Sequence, residues 1–167
     1  GATIFPQNIG LGAMRNPDLI RRIGEITALE MAVTGIDWDF SPTLAVVRDD
    51  RWGRTYEGFA EDPEVVRSYA GAMIEGLQGR PGAPEFLRPG RVSATAKHFV
   101  GDGNTTFGTS TTDGYPDRGD TRMDEDTLRA LLLPPYQAAI DAGALSIMVS
   151  FNSWNGELMH EHEYLLT

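Results

Sequence analysis

Val92-Ser93-Ala94-Thr95-Ala96-Lys97-His98-Phe99-Val100-Gly101-Asp102-Gly103 is a run of small and β-branched residues that ends in a cation and an imidazole, then breaks into a glycine-rich polar loop. Strand ends of this kind face the active site in barrel folds. Lys97 only donates hydrogen bonds, whereas His98 and Asp102 can accept them. The trio suits a pocket for a polyhydroxylated ligand. From these residues alone, a plain strand end with one side chain buried and one solvated is an equal alternative. Successive residues of a regular strand point to opposite faces. A site shared by Lys97 and His98 therefore predicts a bulge or an unusual peptide geometry at 97–99.

Outward from this strand, helices and strands alternate. Asn16-Pro17-Asp18 supplies an N-cap, a proline at the first helical position and an acidic first turn. Leu19, Ile20, Ile23, Ile26 and Val33 follow at helical spacing, and Gly35 stops them. Ile36–Phe40 alternates as a strand and is punctuated by Pro42. Asp62-Pro63-Glu64 starts a second helix that ends near Gly79. Residues 79–91 are a surface connection, and 101 to about 120 a long polar loop. Asp124 caps a helix through Leu128, Leu131 and Leu132, which Pro134-Pro135 interrupts or restarts. Leu145–Phe151 reads as a buried-type strand, 161–166 as a short helix, and Thr3-Ile4-Phe5 as the tail of an earlier strand.

The pattern predicts an α/β fold with a parallel sheet. About four strands are found on this reading. A closed (β/α)₈ barrel takes eight strands and roughly 250 residues. The 167 residues are therefore a small open sheet or part of a larger barrel.

The composition, 41% hydrophobic and 23% charged, is that of a globular chain. A net charge of −10 argues against a nucleic-acid partner, because phosphate binding needs a basic face. No apolar run is long enough to span a membrane. The absence of cysteine excludes disulfides, thiolate catalysis and cysteine-ligated zinc. No signal peptide is evident, but the chain starts at Gly1 without Met, so the compartment stays open, the periplasm and the cell exterior included.

Four further stretches bear on the chemistry. Asp49-Asp50-Arg51-Trp52-Gly53-Arg54-Thr55-Tyr56-Glu57 sets two arginines around Trp-Gly. Arg can hold vicinal hydroxyls and Trp can face a sugar ring. The same residues could instead form an ion-pair network that orders the loop. Ser150-Phe151-Asn152-Ser153-Trp154-Asn155-Gly156 offers either an aromatic wall or a hydrophobic plug. His160 and His162 lack metal-site spacing and read as solvated surface. Gly10-Leu11-Gly12-Ala13-Met14-Arg15 lacks the third glycine of a dinucleotide loop and reads as a turn.

Together these residues resemble the first domain of glycoside hydrolase family 3, in its exo-acting β-glucosidase and glucan glucohydrolase branch. The likeness runs from Ile4-Phe5-Pro6 and Asn8–Ala13 through Arg51-Trp52-Gly53-Arg54, Glu61-Asp62-Pro63 and Ala96–Gly103 to Ser150–Gly156. It implies part of a (β/α)₈ TIM-type barrel, incomplete in residues 1–167, that an α/β sandwich domain follows. The matching family residues assign Arg54, Lys97 and His98 to the hydroxyls of the sugar in the first subsite. They set Phe151 beside that sugar, where relatives often carry Tyr, and match Asp117 to an acidic residue near it. Loop 104–116 is longer than the family pattern, and Asp50 stands where a proline is common. Members that cleave N-acetylglucosaminides carry His at the position of Asp102, so Asp102 favours glucosides.

The resemblance implies a substrate that is a small or oligosaccharide β-glucoside, cleaved with retention and without cofactor or metal. The family's nucleophilic Asp lies in a Ser-Asp-Trp-like motif on a later strand, and its acid/base comes from the second domain. Neither is expected in this chain, whose partner is then the remainder of its own polypeptide. Alone, the segment is expected to be inactive and of marginal stability, since a partial barrel leaves sheet edges uncovered. A non-catalytic carbohydrate-binding or scaffold segment, and a β-N-acetylhexosaminidase of the same family, are the alternatives.

Overall fold

The computed structural model describes residues 1–111 and 114–167. Helices α1 (Asn8–Ala13), α2 (Pro17–Ala32) and α3 (Pro63–Gln78) precede strands β1 (Thr95–Phe99) and β2 (Asp120–Thr121). Helices α4 (Glu125–Leu131) and α5 (Leu133–Asp141) follow, then β3 (Ser146–Val149), β4 (Ser153–Trp154), β5 (Glu157–Leu158) and α6 (Glu163–Leu166).

The helix starts follow from their caps. The Asn16 side chain accepts from Leu19 N–H, Asp62 from Glu64 N–H and Asp124 from Thr127 N–H. Each satisfies a first-turn donor that the helix leaves free. α4 ends at Leu131 and α5 restarts at Leu133 with prolines in its first turn, where their missing N–H groups are not needed.

β1 and β3 pair in parallel, Thr95 opposite Ser146 and Lys97 opposite Met148. A third segment runs parallel on the other side of β1, through bridges from Trp38 to Ser93 and from Thr43 to Lys97. The strand expected at 36–40 is thus reduced to a bridge, although Ser93 donates to Asp37 O at 2.8 Å and Thr95 to Ser41 O at 3.0 Å. Pro42 has no N–H to extend a ladder, and Ser41–Pro42 is a cis bond. α3 lies between α2 and α5. One apolar cluster joins Ile20, Val66, Tyr69, Ile74 and Leu77 of the helices to Leu44, Val46, Ala94 and Ala96 of the sheet. Gln78, fully buried, clips the layers together: it donates to Gly143 O at 2.9 Å and accepts from Ala94 N–H at 2.9 Å.

Three other expectations need correction. Gly10–Arg15 is not a turn, because residues 8–13 form α1 and Gly12 is buried in it. Thr3–Phe5 forms no strand, and Ile4 is 95% exposed. β3 is not of buried type, with Leu145 and Ile147 exposed, because it is an edge of the sheet among the described residues. The second small sheet, β2–β4–β5, closes the polar loop and has too little apolar alternation to be read from sequence. Among the described residues the parallel sheet stays open.

Candidate functional site

Irregular backbone ends β1, the feature expected at 97–99 from the sequence. The register against β3 slips between Lys97 and Phe99, and the Lys97–His98 and Phe99–Val100 peptide bonds are cis. Gly101, at φ 106°, takes a conformation that L side chains rarely adopt and turns the chain so that Asp102 returns beneath His98. Asn152 anchors this turn from the β3–β4 loop. Its amide donates to Val100 O and Thr121 Oγ1, each at 3.1 Å, while Thr121 Oγ1 donates to Gly101 O at 2.8 Å.

A polar chain then crosses the site. Glu57 takes both prongs of the Arg54 fork, at 2.7 and 2.8 Å. Arg54 Nη2 lies 3.2 Å from His98 Nε2, and His98 Nδ1 lies 2.7 Å from Asp102 Oδ2. Arg can only donate, so the tautomer with its proton on Nδ1 satisfies both contacts of the imidazole. Nε2 is left with a lone pair aimed at the guanidinium. The bond to Arg54 holds the Glu57 carboxyl below the usual carboxylate range, and Glu57 in turn raises Arg54. Burial pushes Asp102 up, against the opposing pull of His98. Asp102 Oδ1 has no partner among the described residues.

Arg54, His98, Asp102, Asp117 and Phe151 line one cavity of about 320 Å³. Five of the six residues singled out from sequence are therefore brought together. Lys97 is not in that lining. It is half-buried, and burial lowers its pKa while the Glu57 charge opposes the shift. Its ammonium has no hydrogen-bond partner among the described residues and is left with three free donors. Asp117 accepts from Trp52 Nε1 at 3.4 Å. Phe151 is 70% exposed at the mouth, with the Arg118 guanidinium 5.6 Å from its ring. Trp154, by contrast, is a buried plug whose Nε1 donates to Met123 O at 2.9 Å.

Met148 and Thr105 also line the cavity and were not singled out, and His160, read from sequence as solvated surface, lines it too. Met148 sits opposite Lys97 in the sheet register, a relation visible only once the strands pair. The two histidines near the C-terminus diverge instead of forming a solvated pair. His160 packs on Phe151 at 5.0 Å, whereas His162 is buried and stacked on Trp154 at 5.3 Å. Burial of His162 against Trp154 corrects the surface reading for that residue, while His160 is exposed. Among the described residues no group of acidic or histidine side chains converges as a metal site.

The two arginines around Trp52 separate. Arg54 joins the site, while Arg51 forks Asp49 at 2.8 and 2.6 Å. That bond lowers the Asp49 carboxyl to about 2. A carboxylate depressed in the folded state adds stability above its ordinary range, and loses it as pH falls toward the folded value. Carboxyl-carbon NMR should give Asp49 a midpoint near 2, returning to the ordinary range in Arg51→Ala. An unshifted Asp49 in the parent would remove the pairing.

Residues 1–167 match the family model described as glycosyl hydrolase family 3 N terminal domain. The chain is 32% identical over 164 residues to the periplasmic beta-glucosidase of Salmonella typhimurium, covering 98% of this chain and 20% of that protein. It is 37% identical over 166 residues to a beta-xylosidase of Formosa agariphila, covering 98% of this chain and 22% of that protein. The crystal structure of an exo-1,3/1,4-beta-glucanase from a Pseudoalteromonas species superposes with a TM-score of 0.92 at 56% identity, over 100% of this chain and 20% of that one. The chain thus spans about a fifth of the length of these relatives.

Proposed function

This chain belongs to glycoside hydrolase family 3, whose N-terminal domain is of the TIM-barrel type, and from that membership we propose that it supplies the glucose-holding wall of a retaining β-glucosidase. The complete enzyme would release terminal non-reducing β-D-glucose by double displacement. The observation that carries this reading is the chain Glu57–Arg54–His98–Asp102 along a cavity at the end of β1.

In this reading the terminal glucosyl ring enters the cavity against Phe151. Arg54 and Lys97 donate to ring hydroxyls, and His98 Nε2 accepts from one of them as Arg54 turns toward the sugar. Asp102 acts through His98 by fixing its tautomer and ring plane, so it is a positioning residue. Asp117 supplies an acceptor near Trp52. Contacts to ring hydroxyls tighten as the sugar approaches an oxocarbenium-like transition state, which raises rate as well as affinity. The nucleophile and the acid/base, roughly 5–5.5 Å apart in retaining enzymes, come in this reading from residues beyond this chain.

The 56% identity to an exo-glucanase favours glucose as the sugar over xylose, and Asp102 favours it over N-acetylglucosamine. A panel of aryl β-glucoside, β-xyloside and β-N-acetylglucosaminide tests this in the complete protein. The glucoside should give the highest kcat/KM; preference for either other sugar overturns the assignment. Binding of glucosides without hydrolysis of any would mark a carbohydrate-binding segment instead. Lys97→Ala should lower kcat/KM on the glucoside at least tenfold, about 1.4 kcal/mol. An unchanged value removes Lys97 from the subsite.

A further inference from the structure

Asp102 has one carboxylate oxygen in use and one spare. Oδ2 meets His98 Nδ1 at 2.7 Å, while Oδ1 is buried and has no hydrogen-bond partner among the described residues. Helix α5 holds a second buried polar atom in the same state. Tyr136 is 3% exposed, and its hydroxyl also has no partner among the described residues. Its ring packs edge to face on Phe99 at 5.1 Å, and Phe99 directly follows His98 in β1. Tyr136 does not line the cavity, so it is not placed to touch a ligand seated there.

The two atoms are complementary. A phenol with its proton can donate, and an ionised carboxylate oxygen only accepts. Burial pushes the Tyr136 hydroxyl well above its ordinary range, and the Asp102 charge adds to the rise. The phenol therefore keeps its proton, and the carboxylate stands within its electrostatic reach through the low-dielectric interior. A buried polar atom without a partner is costly, and in native proteins such atoms pair with protein or with ordered water. A water settles only where a polar site offers it partners. Here a donor hydroxyl and an acceptor oxygen supply one of each kind.

We propose that Tyr136 is a positioning residue for the glucose-holding wall, its hydroxyl donating through one buried water to Asp102 Oδ1. That bond favours the ionised carboxylate, against the burial that pushes Asp102 up. An ionised Asp102 fixes the His98 proton on Nδ1 and leaves Nε2 to accept. Without the Tyr136 donor, Asp102 holds its proton to higher pH, and a neutral carboxyl can donate to Nδ1 and reverse the tautomer. His98 and Arg54 also act on Asp102, both favouring its charge, and Lys97 feels that charge in turn. Tyr136 adds a neutral donor from the helix layer. The inference rests on the reading of the cavity as a glucose subsite only for its effect on rate.

Side-chain ¹⁵N NMR of His98 in the complete protein tests the link apart from activity. The parent should show a protonated Nδ1 and a lone-pair Nε2. Tyr136→Phe, which keeps the ring on Phe99, should populate the reversed tautomer at a pH where the parent does not. On an aryl β-glucoside it should lower kcat/KM by about fivefold or more. The acid limb of the pH profile should move up by about half a unit or more. Added to Asp102→Asn, the same change should cost less than about twofold, because the carboxylate it serves is gone. Unchanged His98 signals, or an equal fold loss on both backgrounds, overturn the link, and so does a fall in Tm with the acid limb unmoved. If the complete protein hydrolyses no glucoside, the glucosidase reading fails while the His98 signals still decide the link.

Discussion

Arg54→Ala in the complete enzyme is expected to lower kcat/KM on an aryl β-glucoside at least a hundredfold, about 2.7 kcal/mol. A hydrogen bond to a charged group contributes about 1.5–3 kcal/mol, and Arg54 is placed to do more than one job. Its fork holds Glu57 with two bonds while Nη2 reaches His98. Removing it takes a donor from the sugar and leaves the Glu57 carboxylate without its partner beside Lys97. Arg54→Lys should recover less than tenfold, since a single ammonium cannot fork Glu57 and reach His98 together. The loss should fall more on kcat than on KM if the contact strengthens in the transition state. A drop of less than threefold would show that Arg54 only orders its loop.

Gly12→Ala should lower the stability of the folded protein by about 2–3 kcal/mol. Helix propensity alone predicts the opposite sign, because Ala is favoured over Gly inside a helix by about 1 kcal/mol. Sterics decides the matter. A Cβ at Gly12 would sit 1.6 Å from Phe59 O and 2.6 Å from Phe59 C, backbone atoms that cannot swing aside. Phe59 is buried against Tyr69 at 5.2 Å, and the Tyr69 hydroxyl donates to Leu11 O at 2.9 Å. Displacing it also shifts the loop that carries Arg54, so activity should fall with stability. Gly53→Ala is the control, because nothing lies within 4 Å of its added Cβ. It should change the denaturation midpoint by an amount worth less than about 0.5 kcal/mol. Equal effects at the two glycines would contradict the account.

The elements with strong local signals were legible in the sequence. The Asn-Pro-Asp and Asp-Pro-Glu starts give α2 and α3 nearly to the residue, because a cap, a proline and an acidic first turn agree. The likeness to glycoside hydrolase family 3 was also legible, through the Arg-Trp-Gly-Arg and Lys-His-Phe blocks, and the family match supports it. The irregularity at 97–99 could be anticipated from one argument, that neighbours on a regular strand cannot share a site.

What escaped depended on partners far along the chain. Gly12 looked like a turn residue because its reason is the Phe59 carbonyl. His162 looked solvated because its cover is Trp154. Asp102 lines the cavity as expected, and the fold adds that one of its oxygens bonds His98. Arg51 and Arg54 are chemically alike and three residues apart, and only the fold assigns one to Asp49 and the other to the cavity.

This wall is proposed to seat a terminal glucosyl ring. Its most direct test is a crystal structure of the complete enzyme with glucose bound. Glucose is expected in the cavity beside Phe151, with Arg54, Lys97 and His98 Nε2 each within hydrogen-bond distance of a ring hydroxyl and the His98–Asp102 bond intact. Glucose seated elsewhere, or in the cavity with Arg54 still forked on Glu57 and Lys97 untouched, would contradict it.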